Sequence, residues 1–410
     1  LVAVYSQDFP QKGGDEKQMR YLFSYFKKLV EQFLIHEKWS KDEAFAQLTL
    51  ATVLRQRQGE RLVDRTLEKV RRKLLAGPSR NAEFHYKQYL YYKEQFAFTD
   101  QRSRATAISL QEMSDEWTIC FVIERLRQAC QALTYSQVSQ KEFRPDLLEA
   151  ILNLLQASPF LELPAVAIYF HLHQMLSGST KEDHFAIFRQ LIAKDKAKFP
   201  AGELKEMYLL AINYGIRRFN NGEKDFLQEV FNLYKEGLIL GVFIENGHLS
   251  RFSYKNIAMA GLGLEAYDWV EDFLYSYKDK IHPAYRQDTF NYNLAIFYYR
   301  KPDYPKAMQL LGQVEFDDVL NTLQAKSMLL KIYYDIGETE ALFSLLDSFK
   351  IYVYRQRLLG YHKSNYLNLI RFVQAILRLS PYDEKAKSSL RKKIDDTKAL
   401  AEKAWILSKL

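Results

Sequence analysis

Glycine and proline are scarce, at 16 and 10 of 410 residues. A sandwich or barrel of many short strands turns its chain every few residues and needs those two residue types to do so. That architecture is excluded, and long helices joined by few turns fit instead. Cysteine occurs only twice, at Cys120 and Cys130. Both fall in one expected helix, roughly 15 Å apart along its axis, so they cannot bridge each other. Two reduced thiols suit a reducing compartment, and the expected location is the cytoplasm. No apolar run approaches the ~20 residues that span a bilayer. The first ten residues, LVAVYSQDFP, lack the basic start and long apolar stretch of a secretion signal. Leu1 is not a methionine, and the chain is expected to lack its native start.

Motifs that carry chemistry are missing too. No Gly-x4-Gly-Lys-Ser/Thr loop occurs; Gly261-Leu262-Gly263 comes nearest, lies in a helical stretch and has no third glycine. No Gly-x-Ser-x-Gly elbow occurs. Of the eight histidines only His171 and His173 are close in sequence. They point about 200° apart on a helix and cannot share a metal on one face. Asp317-Asp318 and Asp395-Asp396 are adjacent acidic pairs, not the convergent carboxylates of an acid–base site. The expectation is a chain with no catalytic residues, no metal and no cofactor.

What is present points to helices. At 48.3 kDa the chain exceeds one compact core, so several domains or an elongated repeat array is expected. Tyrosine (28) and phenylalanine (27) are abundant and serve as wedges between helices or as a binding surface. The net charge of +8 permits an anionic partner without demanding one. Basic clusters occur at Lys69–Lys73, Arg355–Arg357 and Arg391–Lys393, where solvated helix faces account for them.

Periodicity and caps predict the elements. One helix covers Asp15–His36. Ser40, with Glu43 three residues on, forms a capping box for a second helix that ends near Gln58. Arg61–Leu75 returns, and Ser79 or Asn81 caps an aromatic helix over Phe84–Phe98. Further helices are expected at Ser103–Leu133, Asp146–Gln156, 163–176, 180–197, 203–219 and 223–243. The last, Asp383–Leu410, is charged, with a sparse apolar stripe at Ala386, Leu390, Ile394, Ala401 and Trp405.

Asn291–Leu311, NYNLAIFYYRKPDYPKAMQLL, reads as a helix, a tight turn and a second helix. Ala295 and Ala307 are small where two helix axes must approach within about 8–10 Å. Tyr298 and Tyr304 fill the turn, and Pro305 lies in the first turn of the second helix, where a missing N–H costs nothing. Related blocks flank it: Tyr267 to Tyr304 is a step of 37, and Ala295 to Leu330 a step of 35. This pattern resembles the tetratricopeptide repeat (TPR), whose period is 34. The likeness is good at 291–321, partial at 256–289 and 325–358, and covers about a third of the chain. Lys301-Pro302 replaces the usual turn glycine.

The resemblance implies an all-α fold of antiparallel helical hairpins stacked into a right-handed TPR-like α-solenoid. Four regions are expected: an irregular N-terminal helical region over 1–140, hairpins over 141–250, TPR-like repeats over 251–360 and capping helices over 361–410. In such repeats the first helix of each hairpin lines the concave face. The positions implied are Lys255, Met259 and Leu262; Tyr292, Ile296, Tyr299 and Arg300; then Lys331, Tyr334 and Asp335. Some members grip a peptide carboxylate with a Lys and an Asn. Lys255 matches the Lys, but Met259 stands where the Asn is needed, so that clamp is not expected. The N-terminal half, through FLIHEKW, LRQRQGERLVDRTLEKVRRKL and YKQYLYYKEQF, also resembles an uncharacterised family of all-helical bacterial proteins, which brings no activity with it.

The first functional expectation is a non-enzymatic scaffold that binds a protein or peptide on this concave face. The second is a nucleic-acid binder that uses the basic, tyrosine-rich inner helices. Homodimerisation through the helix at 103–133 or the terminal helix is a further expectation.

Overall fold

The computed structural model describes residues 16–100, 110–139, 143, 145–156, 158–178, 183–313, 319–356, 360–380 and 382–410. The expected helix starts at Ser103 and near residue 180, and the acidic pair Asp317-Asp318, lie outside them. Among the described residues the fold is all-α, with nineteen α-helices and one pair of two-residue strands. Contacts divide the chain into two compact units, residues 1–214 and 215–410.

The first unit begins with α1 (Glu16–Lys41), α2 (Glu43–Gln56), α3 (Glu60–Ala76), α4 (Ala82–Asp100) and α5 (Leu110–Ser139). It continues with α6 (Leu148–Leu155), α7 (Pro164–Ser177), α8 (His184–Asp195) and most of α9 (Ala201–Asn220). The expected Ser40 capping box does not form. α1 runs on to Lys41, and the Ser40 hydroxyl donates to the His36 carbonyl at 2.7 Å. Asp42 takes the cap position, its carboxylate accepting the Phe45 N–H at 3.1 Å. Asn81 caps α4 by accepting the Phe84 N–H at 3.2 Å, which decides between Ser79 and Asn81.

Leu48, Ala51, Val63, Leu67 and Val70 join α2, α3 and α4 in one apolar cluster. α7 is apolar on nearly every side, with Ala165, Val166, Ile168, Tyr169 and Leu172 all fully buried, as a helix enclosed by others requires. A polar knot ties the elements around it. The Tyr169 hydroxyl donates to Glu203 Oε1 at 2.9 Å and Asn81 Nδ2 donates to Glu203 Oε2 at 2.7 Å. Arg127 of α5 reaches Glu206 of α9 with Nε at 3.0 Å and Nη2 at 2.7 Å.

The second unit continues from α9 with α10 (Phe226–Ile239), β1 (Ile244–Glu245) and β2 (His248–Leu249). Helix was expected as far as residue 243. Gly241 instead adopts the left-handed region, and Asn246 and Gly247, both at positive φ, turn β1 back on β2. There follow α11 (Arg251–Gly263), α12 (Tyr267–Ser276), α13 (Arg286–Arg300), α14 (Tyr304–Leu311), α15 (Val319–Ile336), α16 (Thr339–Arg355) and α17 (Tyr361–Leu377). Helices consecutive in sequence pack on one another throughout this run, and α11 also packs on α13. Gly261 serves close approach: a Cβ there would sit 2.5 Å from Val270 Cγ2 and 3.1 Å from the Phe231 ring. Asp303 caps α14 through the Lys306 N–H.

The terminal segment is not one helix. It divides into α18 (Glu384–Asp396) and α19 (Lys403–Leu407). Between them Asn368 Nδ2 donates to the Ala399 carbonyl at 2.8 Å, and the Ala401 N–H donates to the Asn365 carbonyl at 3.2 Å. These bonds to α17 replace the helical ones, and Glu402 restarts the helix from the left-handed region with φ 55.

Candidate functional site

The residues expected on the concave face fall on α11, α13 and α15 and form two clusters of different character. The first is closed. Lys255 Nζ donates to Gln324 Oε1 at 2.6 Å and lies 5.4 Å from the Tyr292 ring centre. The Tyr292 hydroxyl donates to the same Gln324 oxygen at 3.2 Å. Burial pulls the Lys255 ammonium below its ordinary pKa and pushes the Tyr292 phenol up. Tyr292 and Ile296 were expected to be exposed, and so was Leu262; the structure buries all three, at 5%, 6% and 3% exposure. The reason is that α13 is buried on every side from Thr289 to Phe297, so no stripe of it faces an open groove there. Met259 is half-buried and Arg300 is exposed at the end of α13, where its carbonyl accepts from the Tyr267 hydroxyl at 3.2 Å.

The second cluster gathers Tyr299, Lys331, Tyr334 and Asp335, and the segment 397–410 is docked on it. Lys331 Nζ lies 3.0 Å from Glu402 Oε2 and 5.2 Å from the Tyr299 ring centre. Tyr334 meets Trp405 edge to face at 5.3 Å. Lys409 Nζ lies 2.6 Å from Asp335 Oδ1 and 5.6 Å from both the Tyr334 and Trp405 rings. Beneath them Ile406 is fully buried with Leu323, Leu330, Leu369 and Val373. Burial, reinforced by the Asp335 charge, pushes the Tyr299 phenol up to about 12. The contacts are one buried aliphatic side chain, one aromatic edge, and ion pairs of opposite sense at the two ends of the segment.

The sequence pattern singled out Tyr299, Lys331, Tyr334 and Asp335 as open positions for a partner, and it did not point to the segment of this chain that meets them. Glu402, Trp405, Ile406 and Lys409 recur at i, i+3, i+4 and i+7, the spacing of one helical face. That signal was available; only the face it docks against was not.

Two other features bring titratable side chains together. A cleft of about 660 Å³ is lined by residues that include Glu245, His248, Arg251, His282 and Tyr285. The rings of His248 and His282 meet edge-on at 5.1 Å. In the first unit, His171 and His184 approach through their Nδ1 atoms at 3.0 Å. Among the described residues no three His, Cys, Asp or Glu side chains are grouped to hold a metal ion, and no helix is long and apolar enough to cross a membrane. Comparison with protein families, with curated proteins and with solved structures gives no match to this chain.

Proposed function

We propose that the chain is a non-enzymatic interaction scaffold, with a TPR-like stack of helix pairs over residues 251–360, and that the inner helices α13, α15 and α17 receive a helical peptide of a protein partner. One observation supports this above the others: the chain's own segment 397–410 is seated on Tyr299, Lys331 and Tyr334 in the manner of a ligand. A surface that accepts Trp405, Ile406 and two flanking ion pairs is shaped for an amphipathic helix in general. A partner peptide would present an acidic residue, an aromatic–aliphatic pair and a basic residue in the same register.

The test uses a fluorescent peptide of residues 397–410. Added to the intact chain, it should bind poorly, because the segment already occupies the site. With Trp405→Ala and Lys409→Ala loosening that segment, saturable binding should appear, and adding Tyr334→Ala should weaken it at least tenfold. A loosened variant that keeps its melting temperature but binds no peptide would sink the reading.

The nucleic-acid reading has less support. Lys255 and Lys331, on which it leaned, are engaged with Gln324 and Glu402. Titration with random single-stranded RNA at ~50 mM salt discriminates, since binding through phosphates is strongest at low salt.

A further inference from the structure

α1 stands apart from the rest of the first unit. Its 26 residues span about 39 Å. Among the described residues it packs mainly on α2, through such contacts as Trp39 edge-on to Phe45 at 5.9 Å. Yet its side chains are those of a core. Met19, Leu22, Phe26, Leu29 and Phe33 alternate in steps of three and four, which places them at the a and d positions of a heptad. Leu22 and Leu29 are 55% and 45% exposed, and Phe26 and Phe33 are each 63% exposed. The flanking e and g positions carry Phe23, Val30, Tyr25 and Trp39, also exposed.

We infer that α1 is a self-association helix, which covers this seam with α1 of a second copy of the chain. Three arguments on the residues favour a second copy over other occupants. The first is spacing: a strict 3–4 alternation over five positions matches the a/d seam along which one helix packs on another. The second is the placement of charge. Every basic residue of α1, at positions 17, 20, 27, 28, 38 and 41, falls at b, c or f, away from the seam. A helix lying on an anionic bilayer places lysines along the border of its apolar face. Here those borders carry Phe23, Val30, Tyr25 and Trp39 among Gln18, Gln32 and Glu37, and no lysine or arginine. On the outer face Lys27 pairs with Glu31 at 3.6 Å, so part of that charge is balanced within the helix. The third is area. Eight exposed large apolar side chains lie on the seam and its flanks. At about half of ~200 Å² each they offer roughly 800 Å², which is one side of a standard interface. A helix with such a face left in water has little to hold it folded, because most helical stability comes from packing the apolar face.

Light scattering on the intact chain across ~1–100 µM tests this. The expected mass is at least twice 48.3 kDa. Phe26→Glu with Phe33→Glu should return it to 48.3 kDa with the main melting transition retained, and Lys27→Glu, on the outer face, should leave the larger mass unchanged. A wild-type chain of 48.3 kDa at every concentration overturns the inference. So does a monomer that sediments with phosphatidylserine-containing vesicles, which would assign the face to a lipid surface. An assembly that survives the double substitution also overturns it, by placing the contact elsewhere. Should the double variant fold poorly, Leu29→Cys replaces it. Leu29 lies near the midpoint of α1, so a short bis-maleimide links two copies through the introduced thiol whether the helices run parallel or antiparallel. Cys120 and Cys130 are buried, and burial pushes the Cys120 thiol up to about 11, so they do not compete. Failure of Leu29→Cys to cross-link overturns the proposal independently of the variant masses.

Discussion

A single methyl group decides how closely α13 and α14 approach. Ala295 and Ala307 are both fully buried, in two helices that pack on each other. Ala295→Phe should overpack this joint and lower stability by about 1–3 kcal/mol, read as a fall in melting temperature. An unchanged melting temperature would contradict the packing. His173 of α7 makes a different kind of prediction. It is buried, its Nδ1 has no hydrogen-bond partner, and burial holds its pKa below the ordinary 6.5. The unfolded chain therefore binds a proton that the folded chain resists. The stability tied to neutral His173 is present above about pH 6.5 and is lost as pH falls toward the folded pKa. His173→Gln cannot be protonated. The difference in denaturation free energy between wild type and variant should move in the variant's favour from pH 7 to pH 5, and a constant difference would refute the assignment.

At the scale of elements, the glycines of α11 show how sequence and packing divide the explanation. Gly261-Leu262-Gly263 has the look of an incomplete phosphate loop. It is a contact surface, where α11 comes close to Val270 of α12 and Phe231 of α10. Gly261→Ala should cost about 1–3 kcal/mol by overpacking, and Val270→Ala in the same chain should recover part of it. Additive effects of the two changes would show that they do not touch. Helix ends were readable where the signal is local. Asn81, Asp303 and Asp383 each accept an N–H of their own first turn, and a short polar side chain before an apolar run announces that. The break between α18 and α19 had no such signal. Its cause is Asn365 and Asn368 on α17, some thirty residues earlier, which draw the backbone of Ala399 and Ala401 out of the helix.

At the scale of the whole chain, the segment 397–410 closes the end of the second unit's core. Ile406 is fully buried, while the Trp405 indole N–H is buried without a partner. The Trp405 ring holds this segment against Tyr334, and its unpaired N–H, at about 1–3 kcal/mol, offsets part of that hold. Trp405→Ala should therefore raise hydrogen exchange across 397–410 while leaving exchange in α13 and α15 slow. Equal loss of protection in all three would mean that the segment is integral to the core rather than docked on it.

The sequence by itself determined the class of fold and most of its elements. Scarce Gly and Pro leave long helices, 3.6-residue periodicity marks their faces, and capping residues mark their starts, all through interactions within a few residues. It also carried the heptad of α1 and the i, i+3, i+4, i+7 face of 402–409, since both are local spacings. Only the tertiary structure decided which faces are covered. Tyr292 and Ile296 carry the same pattern as Tyr299 and Tyr334, yet α13 is enclosed from Thr289 to Phe297, and the latter pair meets Lys331 and Trp405 instead. Burial depends on which distant helices arrive beside a residue, and a periodicity that repeats along one helix holds no information about its neighbours.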